Sequence, residues 1–154
     1  MDEELFSEWR PWLSRDDLDG LKYPGVYAIS HTAEPLAHTP FSWRPDIIYI
    51  GMTNAVSGLK GRLKQFDNGI AWKPGHGGAE RVRNKHREYG ILSPRLYVAV
   101  AAFKCDVTSG KPSDLRRMGD VARFEYLCFA HFAEQFGKLP EFNNKKDSPK
   151  GKNR

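Results

Sequence analysis

Apolar runs along the chain predict three β-strands. Residues 26–30 and 47–50 are short runs rich in β-branched and aromatic residues, and Pro24-Gly25 precedes the first run. The pattern predicts two neighbouring antiparallel strands, joined by a long, stiff loop that contains three prolines. Residues 96–103 are apolar at both alternating positions, which is typical of a central strand with both faces covered.

A helix is predicted after the second strand. Leu59, Leu63 and Phe66 recur at the i, i+4, i+7 spacing of one helical face. Ser57 lies where its hydroxyl can cap the first turn, and Asn68-Gly69 is a stop signal. The sequence therefore predicts a short amphipathic helix packed on the sheet.

Four further segments complete the pattern. Residues 1–22 place large apolar side chains about one helical turn apart, so we expect an N-terminal helical extension packed on the domain. The GHGG stretch at 75–78 lacks the lysine and hydroxyl of a phosphate-binding loop, so we expect a flexible loop that leads into a short basic helix. The longest helix is predicted over residues 121–136. Residues 146–154 form a basic tail that we expect to be disordered.

These elements predict an α+β fold, in which a small, mainly antiparallel sheet is flanked by helices within a domain at 23–145. The chain has 154 residues, enough for one domain with a full core and too few to expect two. No apolar run approaches a membrane span, and the acidic start lacks the basic end and apolar block of a secretory signal. We therefore expect a cytoplasmic protein. Cys105 and Cys128 have no CxxC spacing, so they are interpreted as reduced core thiols.

Positive charge is concentrated in the middle of the chain. The net charge is +5, yet residues 1–20 carry seven acids, and nine bases stand between 60 and 95 against three acids. This stretch is a candidate footprint for a polyanion such as DNA, and the alternative is a solvated basic face without that role. The residues that we expect at backbone phosphates are Lys60, Lys64, Arg81, Arg83, Lys85 and Arg87.

Glu125 is the unusual residue of the predicted C-terminal helix. On a helical wheel with Phe124 at zero, Glu125 falls at about 100 degrees, inside the arc of apolar side chains. An ionised carboxylate on an apolar face is costly unless it meets positive charge, so Glu125 should pair with a cation or bind a metal. Arg62 is the obvious protein partner for a core salt bridge, and a position at the rim of the apolar face is the other alternative.

Five short motifs follow one another along the chain. GVY at 25–27 and YIG at 49–51 lie on the two predicted strands, an arginine follows in the helix GLKGRLKQF, then a helical glutamate, then LPEFN. Either tripeptide alone is weak, because Gly-Val-Tyr occurs in many strands. Together, in this order and on these secondary structures, the motifs resemble the GIY-YIG nuclease family over roughly residues 24–145.

The resemblance implies a set of functional residues. Its tyrosines, helical arginine, metal-binding glutamate and late asparagine correspond to Tyr27, Tyr49, Arg62, Glu125 and Asn143. Members of the family are divalent-metal phosphodiesterases that cut DNA, so the resemblance implies one Mg²⁺ or Mn²⁺ held by Glu125. All five residue types are retained, which favours an endonuclease over the alternative of an inactive domain of this fold that binds nucleic acid or protein. Whether a homodimer forms on DNA to cut both strands stays open.

Phe66 departs from the family's pattern. Many members place a histidine or tyrosine four residues after the arginine, and this chain has Phe66 there. That difference removes one proton-handling group. His76 and His86 are candidates to substitute for it, and the alternative is that both are solvated loop histidines.

The expected general base is a phenol. A phenol has a reference pKa near 10, so acting as a base at neutral pH needs help on the order of 4 kcal/mol. One guanidinium at about 4 Å supplies roughly that amount before the phenol's desolvation is subtracted. Arg62 alone is marginal, and the metal must share the task. By analogy with restriction-type members, Tyr27 is assigned as the base, and Tyr49 orients water or phosphate.

Overall fold

A four-stranded antiparallel sheet forms the centre of the computed structural model, which describes residues 3–73 and 76–144. The strands are β1 (Arg10–Pro11), β2 (Gly25–His31), β3 (Ile47–Thr53) and β4 (Leu96–Ala102). Their order across the sheet is β1-β4-β2-β3, so β4 is internal and β3 lies at one edge. The predicted α+β class and antiparallel sheet are confirmed.

The strand pairing follows the sequence pattern. β2 and β3 are antiparallel neighbours, and Tyr27 lies opposite Gly51 in their register. β3 continues past the predicted end at residue 50 to Thr53, so the whole YIG tripeptide is part of the strand. β4 pairs with both β1 and β2, and its neighbouring residues Ala99 and Val100 are both buried, as expected for a central strand.

Helices surround the sheet within the described ranges. They are α1 (Gly58–Ile70), α2 (Gly77–Lys85), α3 (Tyr89–Leu92) and α4 (Pro112–Phe136), with a 3-10 turn at Glu141–Asn143. α4 begins at Pro112 rather than at residue 121, because proline is favoured in a first helical turn even where apolar spacing is missing. Gly77 and Gly78 of the glycine-rich stretch are helical rather than loop, since His76 caps α2 directly before them.

α1 matches its predicted position but not its predicted cap. Ser57 occupies the N-cap position, yet its side chain makes no capping hydrogen bond, so that prediction is wrong. The turn is made by Gly58, at φ 66°, whose N–H donates to the Ala55 carbonyl at 3.0 Å. The helix passes the predicted stop by one residue, ending at Ile70, which is fully buried.

The N-terminal segment is not the single amphipathic helix that its spacing predicts. Glu3–Leu5 and Trp12–Asp17 are separate 3-10 helices with β1 between them. Pro11 explains the break, because proline has no N–H and disrupts a helix interior, whereas an edge strand tolerates it. Trp12 is fully buried, so the segment does pack on the domain.

The sheet separates two hydrophobic clusters. Tyr27 and Ile29 belong to the cluster that includes apolar residues of α1 and α2, whereas Val26 and Ala28 belong to the cluster that includes apolar residues of α4. The alternation follows from the period of two along a strand. The β2 tyrosine therefore points to the face covered by α1 and α2.

Some predictions fall on residues whose structure is not described. Residues 74–75 and the predicted tail at 146–154 lie outside the described ranges. Within those ranges, no helix is both long and apolar enough to cross a membrane.

Candidate functional site

Tyr27 lies beneath the glycine of the YIG tripeptide. Its side chain is fully buried, and a Cβ placed on Gly51 would lie 2.5 Å from both Cζ and Oη of Tyr27. No side chain fits at position 51 without displacing the phenol. The glycine is therefore explained by close approach, and the two tripeptides of β2 and β3 form one packed unit.

Tyr49 reaches the same region from β3. Its ring centroid lies 6.1 Å from that of Tyr27 and 5.5 Å from that of Phe66. A Cβ on Gly78 would lie 2.5 Å from Cε1 of Tyr49, so the first turn of α2 rests directly against the phenol. Tyr49 is half-buried, whereas Tyr27 is inaccessible to solvent.

His76 joins the two tyrosines. Its Nε2 lies 3.0 Å from Oη of Tyr27, and its ring packs at 5.4 Å from Tyr49 and 5.3 Å from Phe66. The solvated-loop interpretation of His76 is wrong, because only 6% of the residue is exposed. Sequence spacing alone does not reveal this contact, since residues 27 and 76 are far apart in the chain.

His86 lies at the other end of α2 and contacts different residues. Its ring packs edge-to-face on His31, with centroids 4.7 Å apart, and on Phe142, with centroids 6.1 Å apart. Of the two candidate histidines, the structure brings only His76 into contact with the tyrosines.

The Arg62 guanidinium is the main positive charge at the tyrosines. Burial raises the pKa of Tyr27 well above its usual value and also raises the pKa of Tyr49, and Arg62 opposes both changes. Nη1 of Arg62 donates to Gln65 at 3.2 Å, whereas Nε is buried and has no hydrogen-bond partner among the described residues. A buried donor without an acceptor is costly, so this nitrogen is an unusual feature of the site.

Glu125 lies close enough to influence both phenols. Its negative charge raises the pKa of Tyr27 and of Tyr49, although it is not the largest cause for either. Burial raises the pKa of the Glu125 carboxyl itself, and Arg62 opposes that change. Among the described residues Glu125 makes no hydrogen bond or ion pair, so the predicted salt bridge with Arg62 is not formed. The carboxylate is left for another positive partner.

Asn143 is engaged by the backbone of β3. Its Oδ1 accepts from the Ile50 N–H at 2.9 Å, and its Nδ2 donates to the Ile50 carbonyl at 2.9 Å. Both bonds occupy the outer edge of β3, between Tyr49 and Gly51. These two bonds give Asn143 a positioning role at the edge of β3, and the catalytic role expected for it stays a prediction.

Replacing Asn143 by alanine is expected to lower the free energy of unfolding by about 1–3 kcal/mol, because Ile50 loses two partners at a partly buried edge. Urea unfolding followed by circular dichroism measures this change. Gln135→Ala, at an exposed position of α4, is the control and should leave stability unchanged. An Asn143→Ala variant as stable as that control would contradict the positioning role.

The six basic residues expected at DNA phosphates have different environments. Lys60 and Lys64 are exposed on α1, and Arg81 lies near enough to lower the pKa of Tyr49 and of His76. Arg83 is only 3% exposed, with its guanidinium 4.5 Å from the Trp72 ring, so the prediction that it contacts phosphate is wrong.

Two of these basic side chains contact other side chains of the domain. Arg87 is exposed, and its guanidinium lies 4.8 Å from the Trp72 ring. Lys85 forms an ion pair with Glu141 of the last 3-10 turn. Lys60, Lys64 and Arg81 therefore remain the best-placed cations for a polyanion.

The donor set fits a metal only in part. The described residues contain no group of three His, Cys, Asp or Glu side chains placed to hold an ion. Within the described ranges, Glu125 offers a hard, half-buried oxygen ligand without a protein partner. Mg²⁺ is commonly bound through one or two carboxylates together with waters and substrate phosphates, so a cation here would depend on substrate for part of its coordination.

Comparison with known proteins identifies no relative of this chain. No protein-family model matches the chain, and neither a curated protein nor a solved structure is significantly similar to it.

Proposed function

We propose that the protein is a metal-dependent DNA endonuclease of the GIY-YIG type, which hydrolyses phosphodiester bonds. The observation that supports this function best is the shared electrostatic environment of four side chains from four elements. Arg62 of α1 and Glu125 of α4 both act on the pKa values of Tyr27 and Tyr49, which stand on β2 and β3. Phosphodiester hydrolysis needs a positive group for the phosphate, a carboxylate for a cation and a group that handles a proton.

Arg62 binds the scissile phosphate in this proposal. Its buried Nε has a proton to donate and no acceptor among the described residues. A guanidinium placed there before substrate arrives neutralises charge that increases in the transition state. Arg81, whose charge lowers the pKa of Tyr49 and of His76, would contact a neighbouring phosphate in this proposal.

Glu125 holds one Mg²⁺ or Mn²⁺ in this proposal. When bound, such a cation supplies Lewis-acid neutralisation of the phosphate charge. Burial raises the pKa of the Glu125 carboxyl, so binding a cation also stabilises the ionised form that burial disfavours. The carboxylate thereby gains the positive partner that the protein does not provide.

Tyr27 is the proposed base, and Tyr49, which is partly accessible, orients water or phosphate. Because burial raises the Tyr27 pKa, the phenol is protonated at neutral pH in the free protein. Proton loss therefore becomes easier as pH rises. Arg62 is the residue whose charge favours the phenolate.

The cleavage rate is expected to rise with pH through the neutral and mildly alkaline range. Below the pKa of a base, the deprotonated fraction increases about tenfold for each pH unit. Single-turnover cleavage measured across this range at constant metal concentration checks the slope. A plateau reached below neutral pH would instead indicate a base with a much lower pKa and would contradict the assignment to a buried phenol.

The direct test of activity is incubation of supercoiled plasmid with the purified protein. Nicking in Mg²⁺ or Mn²⁺ that stops in EDTA is expected. Linear, flap and four-way substrates tested in parallel identify the DNA structure preferred. The absence of nicking on every substrate in either metal would contradict the proposed function.

A domain of this type that binds nucleic acid or protein without cutting is the second candidate. Two observations favour it: the described residues lack a group of three metal ligands, and burial raises the pKa of both phenols. Tight, salt-sensitive DNA binding without metal-dependent cleavage would support this candidate instead.

A further inference from the structure

His76 uses both ring nitrogens at once. Nδ1 accepts hydrogen bonds from the backbone N–H groups of Gly78 at 2.9 Å and Ala79 at 3.3 Å, which makes the imidazole the N-cap of α2. Nε2 lies 3.0 Å from Oη of Tyr27. A helix cap and a tyrosine contact therefore depend on the same ring.

The cap determines where the histidine proton lies. A nitrogen that accepts from backbone N–H groups carries no proton, so the neutral ring must be protonated on Nε2. Nε2–H is then a donor, and the Tyr27 oxygen is its acceptor. The imidazole has no free lone pair on this side, so it cannot take the phenol's proton.

We propose that His76 is the positioning residue of Tyr27: held as the Nε2–H tautomer by the α2 cap, it donates to the phenolic oxygen and thereby orients the hydroxyl with its proton pointing away from the imidazole. Only the catalytic effect of this hydrogen bond rests on the proposed function. The hydrogen bond itself is a property of the folded chain. Phe66 packs against the histidine ring, with centroids 5.3 Å apart, at the position where a histidine or tyrosine is expected in the family that this chain resembles.

The surroundings keep His76 neutral. The titratable and charged groups near it are Tyr27 on β2, Tyr49 on β3, Arg62 on α1 and Arg81 on α2. Burial, with help from the two arginines, lowers the pKa of His76 to about 4. The ring therefore remains a neutral donor throughout the pH range in which the enzyme is expected to work. A fixed N–H donor stabilises a phenolate more than a phenol, because hydrogen bonds to charged oxygen are stronger.

The tautomer is testable without any activity. Long-range proton–nitrogen NMR spectra of the full chain with isotopically labelled histidine distinguish Nε2–H from Nδ1–H imidazole. We expect one histidine, assigned by its loss in a His76→Asn variant, to be the Nε2–H form at neutral pH. Its Nε2 resonance should shift in Tyr27→Phe and stay unchanged in Tyr126→Phe, at an exposed site on α4. A His76 ring protonated on Nδ1, or one that becomes imidazolium near neutral pH, would overturn the proposal.

Two substitutions separate the cap from the donor. Asparagine keeps a capping oxygen near the position of Nδ1 but is too short to reach Tyr27, whereas glutamine places an amide N–H near the position of Nε2 and is a poor cap. His76→Asn keeps the helix cap, so it should lose no more thermal stability than Tyr27→Phe, and it should cut about 10- to 100-fold more slowly than wild type, the effect of losing one hydrogen bond to charged oxygen. His76→Gln should melt earlier and cut faster than His76→Asn.

Melting temperature and cleavage rate rank the two variants in opposite orders only if the Tyr27 contact matters for the reaction. A purely structural role predicts that activity follows melting temperature, with His76→Asn the more active variant, and that order would overturn the catalytic part of the proposal. His86→Asn at the far end of α2 is the matched control and should cut at the wild-type rate. If wild-type protein cuts no DNA, the proposed function fails, while the tautomer measurement still decides whether His76 donates to Tyr27.

Discussion

Replacing Tyr27 by phenylalanine is expected to slow DNA cleavage by about 10²- to 10⁴-fold, while DNA binding changes little. Removing a general base costs about 10²- to 10⁴-fold, and the buried phenol is the proposed base. The hydroxyl contacts no solvent, so its loss should not alter the surface that meets DNA. Single-turnover cleavage and a salt-dependent binding assay measure the two effects separately.

Folding must be checked for this variant. Tyr27→Phe removes the acceptor of the His76 Nε2–H at 3.0 Å, which is expected to lower the free energy of unfolding by about 1–3 kcal/mol. Tyr126→Phe on the exposed face of α4 is the matched control for both activity and stability. If the folded Tyr27→Phe protein cuts within about tenfold of wild type, Tyr27 is not the base.

Replacing Arg62 by alanine is expected to reduce cleavage by about 10²- to 10³-fold, the usual effect of removing one preorganised donor from a developing negative charge. Two effects of the substitution combine to slow cleavage. The scissile phosphate loses its donor, and the pKa of Tyr27 rises further because Arg62 is the group that lowers it. The variant should therefore lose relatively more activity at neutral than at alkaline pH.

Lysine at position 62 separates charge from geometry. Arg62→Lys keeps the positive charge but not the Nε–H and the planar fork, so an intermediate rate is expected. Arg116→Ala, at an exposed position of α4, is the control for net charge. An Arg62→Lys variant as active as wild type would mean that general electrostatic attraction, rather than a directed donor, explains the role of Arg62.

Local periodicity explains why much of the fold was predictable. β2, β3 and β4 are continuous apolar runs, and α1 shows its buried face in Leu59 and Leu63, so neighbouring residues alone indicate these elements. The start of α4 was missed because its first residues are polar and exposed. The break in the N-terminal segment was available from the sequence, since Pro11 interrupts the helical spacing.

The contacts that define the candidate site are not local. His76 and Tyr27 meet through a helix cap, and Asn143 bonds β3 from the opposite end of the chain, which no spacing rule reveals. Arg83 looked like a surface base because arginine usually is one, yet its long side chain is buried against Trp72. Glu125 was found from the sequence because a carboxylate inside an apolar face breaks a strong pattern.

In the proposed function, Glu125, Arg62 and the two phenols act together as one metal-dependent site for DNA hydrolysis. The most direct measurement is plasmid nicking in Mg²⁺ by wild type, Glu125→Gln and Glu134→Gln, the last an exposed carboxylate on the same helix. We predict nicking by wild type and Glu134→Gln and none by Glu125→Gln, which should still bind DNA. Equal nicking by all three proteins would contradict the account.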